Sequence, residues 1–144
     1  MERNEFLKLL GTAGLAVCAG CALESCSSSD PAPSGSTKPP TGVDFTLDLS
    51  SPSNAALLTD GGFVYSNGII IVCLNSVTST YTAVSQACTH QGNTIAYQAA
   101  QSKFVCPAHG SQFSPAGVVL QGPATTSLKA YNTSLTGTML RVFS

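Results

Sequence analysis

The sequence predicts an all-β fold, an antiparallel sandwich or barrel, on three observations. β-branched and aromatic residues recur in short runs, with Thr, Ser, Val, Ile, Tyr and Gly frequent, and such residues suit a pleated, half-buried surface. Gly, Asn, Asp, Pro and Ser interrupt these runs at short intervals as turn signals. No convincing amphipathic helix, with apolar residues at i, i+3, i+4 and i+7, appears in the globular part.

About nine or ten strands follow in order. Residues 43–49 alternate apolar and polar side chains, the mark of a strand with one face in a core. Pro52-Ser53-Asn54 and Asp60-Gly61-Gly62 read as turns. The runs 63–65 and 69–74 flank Asn67-Gly68, a strong hairpin signal. Residues 81–85 form the next strand. Residues 94–97 and 103–105 are placed to pair as a hairpin, and 118–120, 130–134 and 139–143 complete the set. Cys73, alone in the apolar run 69–74, reads as a small buried hydrophobe.

The chain has 144 residues, enough for one domain. Charged residues make up 9% and the formal net charge is −1. Nucleic-acid binding is excluded, because it needs clustered Lys and Arg against phosphates. At 43% hydrophobic residues, the composition is not that of a disordered chain.

The first 26 residues read as an export signal. Basic and acidic residues up to Lys8 precede an uncharged, apolar or small stretch, 9–23, too short for an ordinary membrane span. Arg3-Asn4-Glu5-Phe6-Leu7-Lys8 resembles the twin-arginine export motif, with Asn4 in the second arginine's place. Leu23-Glu24-Ser25-Cys26 resembles a lipoprotein signal ending in a lipidated Cys26, and Cys21 is the alternative. Diacylation would anchor the protein to a membrane. Residues 27–42 are a Ser/Pro/Gly-rich linker, and the folded domain covers 43–144. The expected location is the cell envelope or periplasmic face, as a membrane-anchored lipoprotein.

Chemistry concentrates in two segments. The chain's two histidines each accompany a cysteine, in Cys88-Thr89-His90 and Cys106-Pro107-Ala108-His109, with fifteen residues between His90 and Cys106. Two chemistries compete for this set. Structural zinc accepts two Cys and two His, but the usual spacing groups like ligands together. A [2Fe–2S] centre with two thiolates on one iron and two imidazoles on the other draws one of each from two loops. The mixed order here favours the cluster.

Cys88-Thr89-His90 and the run Cys106-Pro107-Ala108-His109-Gly110-Ser111-Gln112-Phe113 resemble the two cluster-binding boxes of the Rieske iron–sulfur family. The likeness continues through Ser114-Pro115-Ala116-Gly117 and Gly122-Pro123-Ala124 to Leu128 and Tyr131, and covers about residues 43–144. It implies a small cluster-binding subdomain of two loops, one [2Fe–2S] cluster, and one-electron transfer. The implied ligands are Cys88, His90, Cys106 and His109, with Gly110, Ser111, Phe113, Gly122 and Pro123 around them. Neutral imidazoles in place of two thiolates raise such potentials to about −150 to +300 mV, from about −400 mV for all-cysteine plant-type clusters.

Departures from the pattern carry expectations of their own. Respiratory members carry two further cysteines joined by a disulfide, where this chain has Asn93 and Ala108. Phe113 stands where a tyrosine hydroxyl often points at sulfur, so an intermediate potential is expected. Gln91, Gly92, Gln112, Pro123 and Ala124 are the expected contacts for a redox partner such as a cytochrome or a quinol-linked complex. A small subunit of a larger oxidoreductase is the alternative, and a zinc-binding module the remote one. An oxygenase is excluded, since its mononuclear iron needs two further histidines. No independent catalytic acid, base or nucleophile stands out.

Overall fold

The structure, a computed structural model, describes residues 38–144. The expected signal, Cys18, Cys21, Cys26 and most of the linker lie outside the described residues. Among those described, no helix is long and apolar enough to cross a membrane.

Among the described residues, ten strands run in chain order: β1 (Asp44–Asp48), β2 (Phe63–Ser66), β3 (Ile69–Asn75), β4 (Thr80–Ser85), β5 (Ala96–Gln98), β6 (Lys103–Val105), β7 (Gln112–Phe113), β8 (Val119–Gln121), β9 (Ala130–Thr136) and β10 (Met139–Phe143). They make a six-stranded sheet in the order β1-β10-β9-β4-β3-β2 and a four-stranded sheet β5-β6-β7-β8. Every pairing is antiparallel. The all-β antiparallel architecture expected from the sequence is the one present.

The larger sheet is joined in its middle by two register pairs, Ala83 with Tyr131 and Val84 with Ala130. Its halves share one core, in which Ile69, Ile71 and Cys73 of β3 pack with Leu140 and Val142 of β10. The opposite face of β3, Ile70 and Val72, belongs to a second core with Ile95, Tyr97, Phe104 and Phe113 of the smaller-sheet region. β3 is thus buried on both faces, which is why its sequence is a continuous apolar run without alternation. Each fully buried Ile contributes about 1.5–3 kcal/mol relative to an exposed one. Cys73 is fully buried here, as a hydrophobe.

The β2–β3 hairpin turns at Asn67 and Gly68, with φ of 51° and 78°. That pair of left-handed residues is the two-residue turn the Asn-Gly signal predicts. The expected 94–97 and 103–105 hairpin forms as β5 and β6, although Thr94 makes only an isolated bridge to Ala87.

Two segments differ from expectation. The turn at 52–54 is the start of a 3₁₀ helix, Pro52–Leu58. Pro52 presets its first turn, and Leu57 is driven into the first core, fully buried. β7 is only two residues long, too short to show a period in sequence.

Candidate metal centre

β4 hands the chain to a loop beginning at Cys88, and β6 to a loop beginning at Cys106. Both loops close in the same way. The Cys88 N–H donates to the Asn93 carbonyl at 2.8 Å, and the Cys106 N–H to the Ser111 carbonyl at 2.8 Å. In return, Gly92 N–H donates to Cys88 O at 2.7 Å and Gly110 N–H to Cys106 O at 2.9 Å. The two glycines have φ of 72° and 75°, a region that glycine enters without steric cost. A Cβ on Gly110 would meet nothing within 4 Å, so backbone conformation, not crowding, is what calls for glycine there. The chain therefore builds one six-residue turn twice, cysteine first and glycine fifth. His90 is the third residue of its turn and His109 the fourth.

The turns sort their side chains by depth. Cys88 and Cys106 are 2% and 0% exposed and belong to the second core. His90 and His109 are exposed. The two imidazoles meet through Nδ1, 3.3 Å apart, with ring planes at 88°. Two nitrogens bound at about 2.0–2.1 Å to one tetrahedral ion stand about 3.3–3.4 Å apart, so the histidine pair is already spaced for a shared metal. Burial pushes the Cys88 thiol up, opposed by hydrogen bonds from the His90 backbone N–H and the Ser111 hydroxyl; the neighbouring Cys106 raises it further. A buried thiol becomes a thiolate ligand when a cation offsets the charge.

Among the described residues, no group of three or more His, Cys, Asp or Glu side chains gathers where one ion could be held. The four residues stand instead as an inner thiol pair and an outer imidazole pair. That arrangement suits a binuclear centre, one pair per metal, better than a single tetrahedral ion.

A third segment closes over the two turns. The buried Ser111 Oγ accepts the Ala124 N–H at 3.0 Å. Thr89 Oγ1 donates to the Thr126 carbonyl at 2.5 Å. The Gly122–Pro123 peptide is cis, both residues are exposed, and Ala124 is buried. Phe113 is fully buried in the same core as both cysteines and brings no hydroxyl to them. Cys73, Cys88 and Cys106 are free thiols, and Asn93 and Ala108 are exposed. Gly110 spends its N–H on Cys106 O, while the His90 backbone N–H acts on the Cys88 sulfur.

Sequence reasoning missed two features. One is the turn-forming role of Gly92, visible in the repeated Cys-x-x-x-Gly spacing; Gly92 and Ala124, expected as partner contacts, are buried. The other is the fastening of the linker's end. Tyr131 Oη and Lys129 Nζ both donate to the Pro40 carbonyl, at 2.8 and 3.1 Å. Pro39 then forms one wall of a cavity of about 420 Å³ beside Cys88 and His90.

A family model of the Rieske [2Fe-2S] domain matches residues 55–132, more than half of the chain. The chain belongs to the Rieske [2Fe–2S] family. Rieske domains bind a [2Fe–2S] cluster. It is similar to the chloroplastic cytochrome b6-f complex iron-sulfur subunit of Oryza sativa subsp. japonica, 41% identical over 59 residues, which is 41% of this chain and 26% of that protein. The corresponding subunit of Microcystis aeruginosa is 39% identical over 61 residues, 42% of this chain and 34% of the relative. The matched segment spans a quarter to a third of these relatives' length. Among solved structures, the plasma membrane Rieske protein of Synechocystis PCC 6803 is 33% identical, with a TM-score of 0.50, covering 57% of this chain and 84% of that one. The ferredoxin of carbazole 1,9a-dioxygenase from Nocardioides aromaticivorans IC177 shares the fold, at 20% identity and a TM-score of 0.53, covering 72% of this chain and 98% of that one.

Proposed function

We propose that this Rieske protein is an exported, membrane-tethered one-electron carrier. In this reading Cys88 and Cys106 hold the inner iron of its cluster, and His90 and His109 hold the outer one. The observation that carries the ligand assignment is the sorting of the four side chains into a buried thiol pair and an exposed imidazole pair with 3.3 Å between Nδ1 atoms.

When bound, the cluster supplies a single-electron couple. The chain's own residues do the rest. His90 N–H and Ser111 O–H donate toward Cys88 sulfur, which favours its anionic form and draws charge from it. The core around the cysteines, including Phe104, Phe113 and Ile95, keeps water from the inner side. The two rings face each other through Nδ1 and are exposed, open to a partner.

Export and lipidation at Cys26, with Cys21 as the alternative, rest on the sequence pattern of residues 1–26. Two curated relatives are named as subunits of the cytochrome b6-f complex, which favours a second reading as a subunit of a larger redox assembly. Purification from membranes tests both. The carrier reading expects the protein to be released as a single chain by detergent, with labelled lipid on Cys26. Stable co-purification with catalytic subunits would contradict it and support the subunit reading.

A further inference from the structure

The described charges are sorted by end. Asp and Glu stop at Asp60, and residues 61–144 contain neither. Asp48 pairs in register with Met139, at the end of the sheet where β9 turns into β10. Asp60 accepts the Ser76 N–H at 2.6 Å, at the β3–β4 turn. From that turn β4 runs to the Cys88 loop, and its six residues span about 20 Å. Both carboxylates thus sit at the end remote from the metal centre. Asp44 lies nearer, but Arg141 holds it in a two-pronged ion pair at 2.8 and 2.5 Å, so the two cancel.

Lys103 and Lys129 reach nearer the metal centre than Asp48 and Asp60, although Ala99, at the hairpin end before Lys103, packs against Gly61 beside Asp60. Lys103 Nζ donates at 2.9 Å to Oε1 of Gln112, the residue after Ser111. Lys129 Nζ donates to the Pro40 carbonyl and lies 5.2 Å from the Tyr131 ring centroid, while neighbouring Pro39 walls the cavity beside His90. Lys38 is exposed one residue before Pro39. For Lys103 and Lys129 the hydrogen-bond acceptor is neutral. Each bond fixes the ammonium in place without cancelling its charge. The tip between them is exposed and uncharged at Gln91, Pro107, Ala108 and Pro123.

We propose that the tip around His90 and His109, flanked by Lys103 and Lys129, docks a redox protein whose cofactor edge is ringed by Asp and Glu. The proposal rests on the electron-carrier reading and specifies its partner's charge. Opposite charges steer encounter and fix orientation, while the neutral tip allows close approach without desolvating ions. The cluster does not reverse the sign: two ferric irons, two sulfides and two thiolates sum to zero, and one added electron makes −1.

The test uses the full chain in detergent, with cluster content established by iron and sulfide analysis. The reduced protein gives one electron to either of two oxidants, anionic hexacyanoferrate(III) or cationic tris(phenanthroline)cobalt(III), and rates are followed from low to physiological salt. Hexacyanoferrate oxidation should slow several-fold as salt rises, and the cobalt reaction should quicken. Combined Lys103→Gln and Lys129→Gln should flatten both trends, and combined Asp48→Asn and Asp60→Asn should leave them. Flat or inverted trends in the unmodified protein would overturn the proposal, as would equal effects of the two double variants. A preparation without iron and sulfide would overturn the cluster reading itself, and the proposal with it.

Discussion

Ser111 does two things with one hydroxyl. Its hydrogen acts on Cys88 sulfur, and its oxygen accepts the Ala124 N–H. Ser111→Ala therefore removes a donor to a cluster ligand and leaves a buried N–H without a partner. Loss of about 1–3 kcal/mol of stability is expected, together with a lower midpoint potential, read by thermal denaturation and protein-film voltammetry. An unchanged potential would remove Ser111 from any tuning role. Phe113 is the complementary case, fully buried in the core of both cysteines without a hydroxyl. Phe113→Tyr is expected to raise the midpoint. A bond worth about 0.5–1.5 kcal/mol corresponds to about 20–65 mV for one electron, taking about 59 mV per tenfold. A fall, or no change, would show that the new hydroxyl does not reach sulfur. The candidate ligands were legible because histidine is so rare here: both copies fall at motif spacing. Asn93 and Ala108 show plainly that no disulfide clasps the turns. What holds them is the paired cysteine and glycine backbone bonding within each turn.

Elements were legible where one physical signal sufficed. β3 announced itself as an unbroken apolar run, and the structure buries it on both faces. The Asn67-Gly68 turn formed as its residue types require. The 3₁₀ helix Pro52–Leu58 was hidden, because its stability comes from seating Leu57 in a core built by strands remote in sequence. The fastening of Pro40 was hidden for the same reason, since its partners Lys129 and Tyr131 come about ninety residues later. Gly68→Ala tests how far the hairpin depends on its turn. A new Cβ meets only the Pro40 ring, at 3.6 Å, an ordinary contact, so the cost is conformational, about 1–2 kcal/mol. A lower denaturation midpoint at constant m-value is expected, with the visible spectrum of the cluster unchanged. A changed spectrum would mean that the turn also shapes the metal centre.

The whole molecule has two cores with different dependence on metal. The first, around Ile69, Ile71, Leu140 and Val142, is closed by apolar side chains alone. The second contains Cys88 and Cys106, and under the proposed ligation it gains folding free energy from the metal. Removing the cluster by chelation under reducing conditions should therefore expose amide protons in β5–β8 to faster exchange, while β3, β4, β9 and β10 stay protected. Uniform loss of protection would show that the two cores fold as one unit.

Ligand geometry at the outer metal is the central claim. Its most direct measurement is pulsed EPR of the reduced protein. A rhombic signal with a lower average g than an all-cysteine cluster gives is expected. Hyperfine coupling from two imidazole nitrogens is also expected, one lost in His90→Ala and the other in His109→Ala. A paramagnetic cluster without nitrogen coupling, or one bound zinc per chain without sulfide, would contradict that claim.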